Sequence, residues 1–140
     1  MSVPFLDTNI LLRHILNDDP HKSAACFAFI QAIERGETTV WTSELAIAEV
    51  VFVLESKRTY NLPREAIRDV LLPLLGLSGI KLTHKRLYPR IFDLYTRLPI
   101  DFIDCYHVAL MEQRDDRTLF SYDTDFDKIS GVTRHEPEQQ

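Results

Sequence analysis

The chain has 140 residues, 45% hydrophobic and 26% charged with only 4 Gly, which predicts one globular domain over 1–140 and excludes disordered, collagen-like and Gly/Ser-linker material. Its formal charge of −5 has the wrong sign for most nucleic-acid binders, but with four acids set aside for a cation the balance is −1, and any basic face is then decided by distribution. Cys26 and Cys105 are far apart and give neither a disulfide framework nor a Cys-based zinc site, so a reducing cytoplasm is expected.

Taken in chain order, the punctuation predicts short strands alternating with helices. Val3 to Leu6 is an apolar strand, followed by Asp7 and by Ile10, Leu11, Ile15 and Leu16 at helical spacing. Asp19 and Pro20 read as the cap and first position of a helix ending at Gly36, with Ala24, Phe27, Ala28 and Ile30 as its apolar stripe. Thr38 to Trp41 is β-prone, and Thr42 or Ser43 caps a very apolar helix to about Lys57. Asn61 and Pro63 open the next helix, which Pro73 must kink or end because proline lacks a donor and clashes with the preceding turn.

Gly79 to Thr83 is a strand, and Lys85 to Leu98 is helical with its first turn disturbed by Pro89. Asp101 caps a helix to about Arg114. Thr118 to Ser121 is a strand, followed by a helical turn around Phe126, a last strand near Val132 and a disordered tail of about six residues. Strands separated by helices predict βαβ units, hence an α/β/α fold with a short, mainly parallel central sheet. The longest apolar run, Ala46 to Leu54, contains Glu49 and is far below the ~18 residues of a membrane span. The opening residues lack the basic start of a signal peptide.

In a parallel sheet, chemistry gathers beyond the carboxyl ends of the strands. Asp7 and Asp123 follow strands, and Asp104 lies in the first turn of its helix with Asp101 three residues before it. Each alone is also a common turn or cap residue, Asp101 above all. Glu49 is harder to explain away. Its neighbours are apolar all round the helix, which predicts burial, and a lone buried carboxylate must be neutral, paired or bound to metal; a pairing with a distant Arg or a narrow solvent-exposed stripe is the alternative. Gathered carboxylates repel and raise one another's pKa, so such a group calls for a cation. All-oxygen ligation favours Mg2+ or Mn2+, and one or two such ions can activate a water and stabilise the leaving oxygen of a phosphodiester.

Four segments together resemble the PIN-domain nucleases, over nearly the whole chain. Phe5 to Leu12 is similar to the first motif, a strand ending in Asp with Thr and Asn after it. Ser43 to Val50 is similar to the helix that supplies the family's glutamate, here Glu49. Asp101 to Ala109 resembles the third motif, with Asp104 as metal ligand. Leu119 to Phe126 resembles the fourth, with Ser121 where Ser or Thr is usual and Asp123 as the fourth acid; Asp125 is its rival, since family members differ here, and Asp101 is a further alternate. Within the family, the resemblance is to the toxins of VapBC-type toxin–antitoxin pairs. It implies a Mg2+-dependent endoribonuclease, a homodimer, and an antitoxin whose tail covers the active site. Pro73 and Pro89 depart from the family's regular middle helices.

Asp7, Glu49, Asp104 and Asp123 are thus expected to bind the metal and carry catalysis, with Thr8, Asn9 and Ser121 orienting them. Arg13, Lys85 and Arg86 are candidate contacts for RNA phosphates, in basic stretches that also read as solvated helix faces. A receiver-like phosphoryl-transfer domain would also place acids at strand ends, but it needs an acceptor Asp after the middle strand, where His84 stands. A catalytically silent module binding RNA or a protein is the remaining alternative.

Overall fold

A computed structural model describes residues 2–139. The chain divides after Lys85 into two compact units.

The first unit opens on a single parallel bridge, Phe5 to Trp41, where a strand over Val3 to Leu6 was expected. Two backbone bonds hold it, Leu6 N–H to Trp41 O at 2.7 Å and Trp41 N–H to Pro4 O at 3.0 Å. Helix α1, Thr8–Leu16, starts directly after Asp7. Helix α2, Pro20–Glu34, starts as its sequence predicts: Pro20 has no N–H to satisfy, and the Asp19 carboxylate accepts the Lys22 N–H at 3.1 Å.

The buried stripe of α2 differs from expectation. Ser23, Cys26, Ile30 and Ile33 face inward, whereas Ala24, Phe27 and Ala28 are exposed. Apolar side chains occur on both sides of this helix, so spacing alone does not choose the inner one. Strand β1, Val40–Thr42, leads to helix α3, Glu44–Glu55, whose first turn is capped by the Ser43 hydroxyl accepting the Ala46 N–H at 3.1 Å.

Helix α4, Arg64–Leu75, runs only two residues past Pro73, and its last turn is closed by the Gly76 N–H, which donates to Leu72 O at 3.1 Å and Pro73 O at 3.2 Å. Strand β2, Ile80–Leu82, then pairs in parallel with β1, Val40 opposite Ile80. Gly79 is required at the entry to β2. A Cβ there would lie 2.7 Å from Ile33 Cγ2 and 3.1 Å from the carbonyl oxygens of Ile33 and Thr38. Leu11, Ile33, Ile47, Leu54, Ile67, Leu71 and Ile80 form the unit's fully buried centre.

The second unit begins with helix α5, Tyr88–Arg97, entered through a 3-10 turn over Lys85–Leu87. Pro89 sits in the first turn of α5, where its missing N–H costs nothing. Helix α6, Phe102–Gln113, packs on α5 through a ring cluster: Phe92 to Phe102 at 5.4 Å and Tyr95 to Phe102 at 5.6 Å. Strands β3, Thr118–Phe120, and β4, Thr133–His135, pair in parallel across a 3-10 turn over Thr124–Lys128. The expected disordered tail instead carries His135 in β4 and a 3-10 turn over Pro137–Gln139, and the Tyr122 hydroxyl donates to Glu138. Gln140 lies outside the described residues.

The expected α/β class with short parallel strands holds, the strands occurring as two parallel pairs. Among the described residues no helix is long and apolar enough to cross a membrane.

Candidate metal-binding acids

The first unit supplies Asp7 and Glu49. Asp7 is the N-cap of α1, yet its carboxylate makes no capping bond, and its side chain is exposed. Thr8, only 5% exposed, directs its hydroxyl onto α3: Oγ1 donates to Glu49 Oε2 at 3.1 Å, with Ala46 O at 3.4 Å. One hydroxyl therefore ties the acid-bearing start of α1 to the glutamate of α3, across 41 residues of sequence.

Burial of Glu49 is corrected: Glu49 is exposed. Helix α3 buries Ala46, Ile47, Val50, Val51 and Leu54, while Leu45 and Phe52, on the same outward face as Glu49, are 77% and 66% exposed. Apolar residues on every face do not ensure burial on every face, so Glu49 needs no charge partner to exist there.

The second unit supplies Asp101, Asp104, Asp123 and Asp125. Asp104 is half-buried in the first turn of α6, and no side-chain hydrogen bond reaches it among the described residues. Its pKa is raised, first by burial and then by the charges of Asp101, Asp123 and Asp125, with His107 opposing. Asp101 caps α6 with its carbonyl, which accepts the Cys105 N–H at 3.0 Å, and not with its carboxylate. That carboxylate is left to add to the field at Asp104.

Asp123 and Asp125 differ in their surroundings. Asp125 is paired with Lys128 Nζ at 2.8 Å. Asp123 has no ion pair among the described residues; its Oδ1 accepts the Asp125 N–H at 2.9 Å. Ser121 supports it, the Ser121 Oγ accepting the Asp123 N–H at 3.0 Å.

The basic candidates are largely engaged. Arg13 lies 3.6 Å from both Asp18 and Asp19. It also walls two clefts of about 180 and 390 Å3, each shared with Asn9. The Lys85 ammonium points inward, donating to the carbonyls of Leu77 and of Ile80, the latter at 2.8 Å; Arg86 is exposed. Sequence reasoning did not find Arg134, whose guanidinium joins Ser121 O and Asp127; no local pattern could have announced it.

The donors are all oxygens, and around Asp104 the charges of three acids are opposed only by His107, a combination suited to a hard divalent cation. Among the described residues, no three or more His, Cys, Asp or Glu side chains stand close enough together to hold a metal ion.

No significantly similar chain was found among curated proteins. Among solved structures, the chain resembles the crystal structure of Mycobacterium tuberculosis VapC20, a sarcin-ricin loop cleaving toxin, at 17% sequence identity, covering 97% of this chain and 100% of that chain, with a TM-score of 0.38. The model of the PIN domain matches residues 5–132, from the bridge at Phe5 before Asp7 past the loop of Asp123. The chain therefore belongs to the PIN-domain family, a family of nucleases.

Proposed function

We propose that this chain is a Mg2+- or Mn2+-dependent endoribonuclease, working as one domain over 1–140. Asp7, Glu49, Asp104 and Asp123 serve as its metal ligands, binding one or two ions. The observation that carries this is Asp104: a half-buried carboxylate with no hydrogen bond among the described residues, pressed by three other acids and opposed only by His107. Such an arrangement costs stability in the bare protein and is relieved by a divalent cation. Bound there, the metal would activate water for attack on phosphorus and offset charge on the leaving oxygen.

The chain's own residues do the positioning. Thr8 holds one oxygen of Glu49, and Ser121 holds the backbone of Asp123. Asp125 is less suited to the ligand role, because its pairing with Lys128 must break first. Asn9 and Arg13 lie one helical turn apart beside the two clefts and would meet the RNA backbone, Arg13 exchanging its loose contacts with Asp18 and Asp19 for a phosphate. Arg86, which is exposed, would add a phosphate contact, whereas Lys85 would first have to leave its carbonyls.

The motif pattern is that of toxins in toxin–antitoxin pairs. We place the chain there, in the cytoplasm, as a homodimer whose partner is a cognate antitoxin. A silent binding module is disfavoured by acids at all four motif positions.

Purified protein should cut RNA with Mg2+ or Mn2+ and stop when a chelator is added. Asp7→Asn and Asp104→Asn should each abolish cutting while far-UV circular dichroism stays unchanged. Full activity in both variants overturns the assignment.

A further inference from the structure

We propose that Arg134 is a positioning residue for Asp123, clamping the loop that carries it from both ends; the inference rests on the metal-ligand role given to Asp123 above. Arg134 lies in β4 with its side chain only 14% exposed. Its Nε and Nη2 donate to the two carboxylate oxygens of Asp127 at 3.0 and 3.2 Å. Its Nη1 donates to the Ser121 carbonyl at 2.9 Å and reaches Glu136 at 3.4 Å. Ser121 is two residues before Asp123 and Asp127 is four after it, so one planar group fixes both flanks of the loop.

Inside that frame, the Asp123 N–H donates to Ser121 Oγ at 3.0 Å, and Asp123 Oδ1 accepts the Asp125 N–H at 2.9 Å. Backbone and χ1 of Asp123 are thus set, with Oδ2 uncommitted among the described residues. A metal ligand on an exposed loop must otherwise be ordered at the moment of binding, at a cost in affinity. The bidentate pairing fixes orientation as well as distance, and a lysine ammonium, a point charge on a flexible stem, cannot reproduce it while also reaching the carbonyl.

The test is calorimetric titration of the metal-free full chain with Mn2+, well below the melting temperature. The proteins are wild type, Asp123→Asn, Arg134→Met, Arg134→Lys and Asp127→Asn. Arg134→Met should weaken Mn2+ binding about 10- to 100-fold, the usual effect of removing a group that orients a ligand. Arg134→Lys should fail to restore the affinity, and Asp127→Asn should show a smaller loss in the same direction. Arg134→Met that melts earlier yet binds Mn2+ as the wild type does assigns Arg134 a purely structural part and overturns the proposal. If Arg134→Met does not fold, Asp127→Asn decides, since the Asp127 side chain is 54% exposed; wild-type Mn2+ affinity in that variant overturns it equally. Wild type that takes up no Mn2+, or Asp123→Asn that binds as the wild type does, overturns the ligand role itself and the clamp with it.

Discussion

Thr8→Val isolates the hydroxyl that links α1 to α3. Valine keeps the volume and branching of threonine, so the buried site gains neither cavity nor strain, and the change removes one donor. A hydrogen bond to an ionised carboxylate is worth ~1.5–3 kcal/mol when water cannot replace it. Here Glu49 is exposed and water can take the vacated place, which brings the loss to about 1 kcal/mol. For a chain of this size that corresponds to a melting temperature lower by about 3 °C. If the hydroxyl also fixes Glu49 for the metal, the same ~1 kcal/mol appears as about fivefold weaker Mn2+ binding. Scanning fluorimetry in chelator reads the first effect, and Mn2+ titration with cleavage assays at each concentration reads the second. Thr8→Ser, which keeps the hydroxyl, should restore Mn2+ affinity. A Thr8→Val protein with the predicted melting loss but unchanged Mn2+ dependence would show that the contact is only structural.

Three further outcomes follow from charge and burial. In chelator, Asp104→Asn should melt at or above the wild-type temperature. The raised pKa means that the folded state holds its proton longer, so this group's stabilisation is complete below the unfolded carboxyl value and is lost as pH rises through the folded one; a large drop at neutral pH would refute the repulsion. His14 stacks on Phe27 at 5.5 Å with its Nδ1 buried and unpartnered, and burial lowers its pKa. The unfolded chain then binds the proton more readily, so stability falls as pH drops below about 6.5; denaturant melts of wild type and His14→Leu between pH 5 and 8 should differ in slope, and parallel curves would count against it. Glu112 accepts both arms of Arg90, each at 2.9 Å, and its pKa is lowered. Its stabilisation is present above the unfolded carboxyl value and disappears as pH falls through the folded one. Glu112→Gln should therefore lose stability at neutral pH but little in acid, which the same melts would check.

Helix starts were legible because their chemistry is local. Asp19, Ser43 and Asp101 each stand directly before a helix, and two of the three cap it with a side-chain oxygen. The phase of α2 was not legible: Ala24, Phe27 and Ala28 offer a stripe as apolar as Ser23, Cys26, Ile30 and Ile33, and the core chose the latter. For Glu49 the sequence gives identity without environment, since Leu45 and Phe52 are apolar yet exposed. The four acids proposed as ligands come from their motifs, whereas the links Thr8 to Glu49 and Arg134 to Ser121 join residues 41 and 13 apart. Such links are products of the folded chain, and no window on the sequence contains them.

The inward-turned ammonium of Lys85 has a consequence for surface chemistry. Acylating and carbamylating reagents attack amines that are unprotonated and free to move. Burial lowers the Lys85 pKa and so favours its unprotonated form, but the amine is held on two carbonyls in a half-buried pocket and shielded from reagent, while Lys81, four residues earlier, stands in solvent. Covalent footprinting of this basic stretch would therefore mark Lys81 early and Lys85 late, and mistaking that silence for protection by bound RNA would misplace the substrate.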